Sequence, residues 1–388
     1  MKRVIAALVR RIVWLVCWFL PVDNKKIVFS SYYGRGYGDN PKYIAEKLLY
    51  SGKNYKLIWI VKSEEERQFL PKEIVSCKKD TIGFIFHLTT AKIWVDNCRK
   101  PFFYKKKKQF YIQTWHGFAL KRIEKDVCDK LGQEYVNTAI SDSKAINLIV
   151  SDSKFMTGIY KTAFWYRGNV VEWGAPRNDI LIQEAAVESC ILKVKQHYQI
   201  PLDAKLVLYA PTFRGDGSLD PYKIDLKSVV EAASQKFGSK FVSLVRLHPN
   251  ISDKSTELNF EWGNSIIDVS KYPDIQELLS SADIVISDYS SLMFDFALSG
   301  RPCFQFATDI DEYKKDRDFY FELDKLPFTM SRTNEELKSN ILVFDDRAYA
   351  EKIDSFFESV GMIRYGDASS KCAELIENIC FKKGVKNI

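Results

Sequence analysis

The sequence predicts an α/β protein of two successive Rossmann-like lobes facing one cleft, with an amphipathic N-terminal helix and a helical C-terminal tail. Two observations carry that expectation. Short apolar runs alternate with helical runs along most of the chain, the pattern of a parallel sheet covered on both faces. The series starts twice, at Lys26 and again after about residue 185. A length of 388 residues, 46% of them apolar, suffices for two or three cores. The predicted divisions are a membrane-associating helix over 1–22, a first lobe over 23–185 and a second lobe with its tail over 186–388.

In the first lobe, Lys26 to Ser31 reads as a strand. The glycine-rich stretch Gly34-Arg35-Gly36-Tyr37-Gly38 follows, then a helical run from Lys42 to Tyr50 capped by Asp39 or Asn40, with Pro41 in its first turn. These glycines do not form a dinucleotide fingerprint, because Asp39 interrupts the spacing. Tyr55 to Val61 is a strand and Ser63 to Leu70 a helix. Ile74 to Ser76, Lys92 to Val95, Phe110 to Thr114, Asn137 to Ile140 and Leu148 to Ser151 are further strand candidates. In the second lobe, Lys205 to Ala210, Phe241 to Leu247, Asp283 to Ser287 and Arg301 to Phe306 read as strands. Leu226 to Phe237, Asp274 to Ser281 and Ser290 to Leu298 read as helices, and Asn334 to Lys383 as a mostly helical tail.

Net charge is +7, from 57 basic and 50 acidic residues, and no nucleic-acid-binding motif is present. Part of the excess sits in Lys105 to Lys108, either a solvated loop or an attraction for an anionic surface or polyanion. Eight scattered cysteines form no C-x-x-C pair, which suggests reduced thiols. No His/Cys cluster has zinc-ligand spacing, so neither a metal nor a cofactor is expected. Met1 to Leu20 is apolar apart from Lys2, Arg3, Arg10 and Arg11. Mid-segment arginines make spanning a bilayer costly, whereas Trp14, Trp18 and Phe19 suit the headgroup boundary. An in-plane membrane helix is expected ahead of a signal peptide or a core helix.

The candidate chemistry gathers where strands end, the edge at which α/β sheets hold ligands. His116, in Gln113-Thr114-Trp115-His116-Gly117, follows a strand and precedes the helix-like Leu120-Lys121-Arg122-Ile123. A histidine there can move a proton near neutral pH. His87 and His197 lie in runs that read as core or surface. In the second lobe three strand ends lead into Pro211-Thr212-Phe213-Arg214, Arg246-Leu247-His248-Pro249 and Asp288-Tyr289-Ser290-Ser291. Ser290 is either an N-cap or part of an anion site at a helix start. Asp295 shares a helical face with Ser291 and is placed to bind a ligand hydroxyl or orient a basic group. Arg177, in Gly174-Ala175-Pro176-Arg177-Asn178-Asp179, is either a surface turn residue or a cleft residue.

Taken in order, these five motifs, with the early Tyr37-Gly38-Asp39-Asn40-Pro41-Lys42, resemble the CDP-glycerol glycerophosphotransferase family, whose members prime or extend teichoic acids and related capsule polymers. The resemblance spans roughly residues 25 to 375. It implies a GT-B-like fold and a peripheral enzyme on the cytoplasmic face of the bacterial membrane. The implied reaction moves a polyol phosphate, most simply glycerol phosphate, from a CDP-polyol such as CDP-glycerol to a lipid-linked glycan acceptor. His116 would be the general base. Trp115, Gly117, Arg177, Pro211, Thr212, Arg214, His248, Ser290, Ser291 and Asp295 would line the donor site. Phe118-Ala119 departs from the small Thr-Pro pair common after the histidine-glycine step. A GT-B glycosyltransferase using a nucleotide sugar, and a non-catalytic membrane scaffold, are the competing readings.

Overall fold

The computed structural model describes residues 2–100, 104–215, 218–248, 250–251, 257–258 and 260–381. Pro249 of the histidine-proline motif, Met1 and the end of the predicted tail at Lys383 lie outside them. The chain divides into two compact units. One comprises Met1–His116, Glu124–Asp179 and Tyr365–Ile388, the other Gly117–Ile123 and Ile180–Arg364.

Among its described residues the first unit holds a seven-stranded parallel sheet in the order β3-β2-β1-β4-β5-β6-β7. The strands are β1 (Asp23–Ser30), β2 (Lys56–Val61), β3 (Val75–Lys78), β4 (Ala91–Asp96), β5 (Phe110–Gln113), β6 (Leu148–Ser151) and β7 (Asn169–Glu172). Alternate residues face one core: Ile27 and Phe29, Trp59 and Val61, Ile93 and Val95, as a period of two requires. Helix α1 is Lys2–Trp18, α2 is Asp39–Leu49 and α3 is Ile82–Thr90. The Thr81 hydroxyl caps α3 by accepting the Phe84 N–H at 3.2 Å. Helix α4 (Gln133–Ala145) takes in the stretch Asn137 to Ile140 that reads as a strand from sequence. That run is only four residues long, and Ala139, Asp142 and Ser143 are buried at helical spacing instead. Helix α5 (Lys154–Thr162) starts at a Ser153 cap.

In the second unit, six described strands follow the order β10-β9-β8-β11-β12-β13. They are β8 (Lys205–Tyr209), β9 (Phe241–Val245), β10 (Ile266–Asp268), β11 (Ile284–Ser287), β12 (Cys303–Phe306) and β13 (Thr329–Ser331). Both sheets reverse direction beside their first strand, between β1 and β4 and between β8 and β11. That is the switch point at which doubly wound sheets bind ligands.

The tail corrects the sequence reading. Helix Ala368–Phe381 belongs to the first unit, where Cys372, Leu375, Ile376 and Cys380 join the core built on β1, β2 and α2. The Asp179 carboxylate accepts the backbone N–H groups of Ala368 and Ser369 at 3.1 and 2.8 Å, fixing the helix start. The first division accordingly falls after Asp179 rather than after residue 185.

Helix α1 has 17 residues, and no described helix is long and apolar enough to cross a membrane. It packs along α3 and buries Cys17, but leaves Ile12, Leu15 and Val16 exposed, as is Phe19 just past its end. Lys106 donates to the Cys17 and Leu20 carbonyls, placing a cation where the helix dipole favours one. At least one lysine of the 105–108 run is therefore bound to the protein rather than solvated.

Candidate active site

His116 sits just past β5, beside the loops that follow β1 and β4. The backbone is forced there: Trp115 has φ 52° and Gly117 φ 144°. Side-chain hydrogen bonds hold the strained turn. The Trp115 N–H donates to the Gln113 side-chain oxygen at 2.9 Å, and Asn40 Nδ2 donates to the Trp115 carbonyl at 3.0 Å. His116 Nδ1 lies 2.6 Å from the Asn97 carbonyl oxygen. A carbonyl can only accept, so Nδ1 carries the proton and Nε2 keeps its lone pair. The imidazole lies against Trp115, with ring centroids 4.3 Å apart, and takes the edge of Tyr32 at 5.7 Å. Burial lowers its pKa below the ordinary 6.5, against the opposing pull of the Asn97 hydrogen bond and Asp39.

Arg177 belongs to this cluster. It is buried, so it is not a surface turn residue. Its guanidinium pairs with Asp39 at 2.8 Å and its N–H donates to Asn40 at 3.0 Å. The Tyr32 hydroxyl donates to Asp39 at 2.6 Å. Burial pushes the Asp39 carboxyl up, but Arg177 and Tyr32 together hold it below its ordinary value. Asp39, Asn40, Tyr32 and Asn97 were missed as site residues. The signal for the first two was present, since Asp39-Asn40 lies in the early motif.

The second set converges at the carboxyl ends of β8, β9 and β11, which are neighbours in the sheet. Its centre is Asp288. That carboxylate accepts the Thr212 N–H at 2.9 Å and the Tyr289 N–H at 2.6 Å, and pairs with Arg214 at 2.9 Å. Arg214 also meets Asp309 at 2.6 Å and donates to the Thr212 carbonyl at 2.6 Å. Its fork, expected to be open to a ligand, is thus spent on two carboxylates and a carbonyl. Pro211 is buried. The Thr212 hydroxyl oxygen is buried with no hydrogen-bond partner among the described residues. His248 is exposed, stacks on Phe213 at 5.4 Å and accepts the Asn250 N–H at 3.2 Å.

The helix after the serines is shorter than expected, Leu292–Ala297. Ser291 precedes it without a cap hydrogen bond, and the Ser290 hydroxyl accepts the Leu292 N–H at 3.4 Å. Asp295 is buried and accepts from Gln276 at 3.2 Å. No helix begins at Leu120. The Arg122 N–H instead donates to the Asp318 carbonyl, and Lys121 bridges Phe319. This puts Lys121 in the second unit, its ammonium 5.1 Å over the Tyr313 ring. Burial lowers its pKa to about 8, with Asp288 opposing. Lys121, Asp288 and Tyr289 lie inside the motifs without an assigned role, and Asp309 lies outside all of them. No cluster of His, Cys, Asp or Glu suited to a metal ion occurs among the described residues.

A family model described as CDP-Glycerol:Poly(glycerophosphate) glycerophosphotransferase matches residues 12–378. The chain belongs to this family. Within the glycerophosphotransferases it is 34% identical to the teichoic acid poly(glycerol phosphate) polymerase of Staphylococcus epidermidis, over 92% of this chain but 51% of that protein. It thus spans about half the length of that relative. It is 32% identical to the teichoic acid glycerol-phosphate transferase of Staphylococcus aureus, over 92% of this chain and 94% of that protein. The solved wall teichoic acid polymerase TagF has a TM-score of 0.84 and 32% identity, covering 96% of this chain and 93% of that one. A histidine-to-asparagine variant of TagF soaked with CDPG has a TM-score of 0.81 and 33% identity, covering 92% of this chain and 90% of that one. The fold is therefore GT-B-like, built from two Rossmann-like units.

Proposed function

We propose that this chain transfers glycerol phosphate from CDP-glycerol to a hydroxyl of a lipid-linked glycan acceptor, releasing CMP, in the synthesis of a teichoic acid or a related capsule polymer. The observation that carries the reading is His116, its Nδ1–H pinned to the Asn97 carbonyl and its Nε2 left basic. Nε2 takes the acceptor proton as the hydroxyl oxygen attacks the β-phosphorus. The phosphoanhydride bond breaks and its electrons leave on CMP.

The donor is assigned to the second unit. The orphaned Thr212 hydroxyl, Ser290, Ser291, Lys121 and His248 face the pyrophosphate in this reading. Arg214 and Asp288 shape the loops that present them, and Asp295 and Pro211 complete the wall. Trp115 and Gly117 shape the turn that carries the base. Arg177 acts on the His116 side, through Asp39. The names of the relatives favour glycerol over ribitol by coverage and identity together: the four with glycerol phosphate in their names are 30–34% identical over 92–94% of this chain, whereas two ribitol-phosphate polymerases at 30% and 29% match only 55% of it. A ribitol-phosphate polymerase and a primase are 25% and 24% identical.

We place the protein on the cytoplasmic face of the bacterial membrane, held there by α1. The support is an exposed apolar face beside Arg10 and Arg11 on a helix too short to span. Purified protein given CDP-glycerol and a short glycerol phosphate acceptor should yield CMP and a product heavier by one glycerol phosphate. A glycosidic product from a nucleotide sugar, with no turnover of CDP-glycerol, overturns the assignment.

A further inference from the structure

A cavity of about 930 Å³ lies inside the first unit and belongs to neither residue set described above. Its position is informative. Ser30 ends β1 and Asp96 ends β4, and both line it, so it opens at the switch point of the first sheet. The volume is near the upper end of the ~300–1,000 Å³ usual for small-molecule sites.

The walls are hydrocarbon and aromatic. Trp14, Leu15 and Trp18 come from α1, and Phe84 and Ile85 from α3. Five cations line it as well, among them Arg10, Arg11 and Lys79. Arg10 meets Asp80 at 3.8 Å, an exposed contact of little strength. Lys79 lies 5.5 Å over the Tyr33 ring. The other two lining cations are committed inward, Arg99 to Glu124 and Lys100 to Asp96. An apolar chamber with cations along it suits a long hydrocarbon chain that carries a phosphate.

The cavity also touches what holds the base. Cys98 lines it, and its sulfur is 3.8 Å from His116 Nδ1. Asn97, one residue earlier, supplies the carbonyl that fixes the imidazole. Tyr32 and Tyr33 both have positive φ, 44° and 61°. Tyr32 packs on His116 while Tyr33 lines the cavity. An occupant therefore abuts both segments that position the base, which favours a substrate's own lipid over bulk lipid.

We propose that the cavity binds the hydrocarbon chain of the acceptor's lipid, with the lipid phosphate against Arg10, Arg11 and Lys79. This rests on the reading that the acceptor is lipid-linked. The test uses the full chain and phosphatidylcholine vesicles doped with a fluorescent isoprenyl phosphate, following energy transfer from tryptophan. The parent should bind the probe. Arg11→Glu should weaken binding by about tenfold or more, the usual effect of losing a charged contact. Ile85→Trp, which fills the chamber, should do the same. Arg11 is exposed, so its variant stays folded and informative even if Ile85→Trp does not. The isoprenyl alcohol should bind at least tenfold more weakly than the phosphate on the same estimate. Phosphatidylglycerol at the same mole fraction should not displace the probe. Unchanged binding in Arg11→Glu, equal binding of the alcohol, or displacement by phosphatidylglycerol overturns the proposal, the last assigning the cavity to bulk lipid. Binding is read without turnover. Failure of the parent to release CMP with a soluble acceptor would sink the proposed reaction separately.

Discussion

His116 is held by a carbonyl on one nitrogen and by aromatic rings around it, which leaves its Nε2 lone pair available to accept a proton or a hydrogen bond. Burial keeps its pKa below 6.5, so the neutral form dominates at neutral pH. The sign follows: turnover should be lost only as pH falls through that lowered value. An acid limb of kcat/KM centred above pH 6.5 would contradict the environment described. Lys121 predicts the opposite limb. Its pKa is lowered to about 8, so its positive charge disappears as pH rises through that value. CDP-glycerol affinity, measured by calorimetry, should fall over that range, and Lys121→Met should remove the pH dependence. His116 was legible in the sequence because its tryptophan, glycine and preceding strand are contiguous. The pairing of Arg177 with Asp39 was not legible, because Asp39 is 138 residues away and no local pattern names so distant a partner. The strand-end position of Arg214 was legible but its commitment to carboxylates was not, since Asp309 lies 95 residues downstream.

At the scale of elements, long periodic segments and strong caps were readable, and short strands were not. Leu226–Phe237 was predicted to the residue, because Asp225 caps it and Gly238 closes it in the left-handed conformation. Strands β10 and β13 have three residues each, too few for an alternating pattern to show. The tail helix shows a different gap. Its amphipathic pattern demands an apolar surface but does not name the sheet that supplies it. The structure assigns it to the first sheet, where Ile376 is fully buried. Ile376→Ala should therefore destabilise the first unit by roughly 2–5 kcal/mol, read as a lowered midpoint in urea. A change below about 0.5 kcal/mol, the usual size at surface positions, would mean that the helix is not part of that core.

For the whole molecule, two Rossmann-like units of one strand order were legible from the repeated alternation of runs. Family membership follows from a match across residues 12–378 rather than from any single motif. Helix α1 precedes both sheets, so removing residues 2–20 should leave CMP release with a short soluble acceptor in place. Sedimentation with anionic vesicles should be lost; retention of vesicle binding would move membrane attachment to another surface. His116 is the proposed base of a glycerol phosphate transfer, and that role governs turnover rather than donor binding. The role is tested most directly by CMP release from CDP-glycerol in His116→Gln, with donor affinity measured on the same sample. Glutamine preserves a hydrogen-bonding side chain but cannot accept the proton. Donor affinity should be unchanged and turnover lower by ~100 to 10,000-fold. Turnover within a few-fold of the parent, roughly the margin left by minor repositioning, would show that His116 is a ligand contact and not the base.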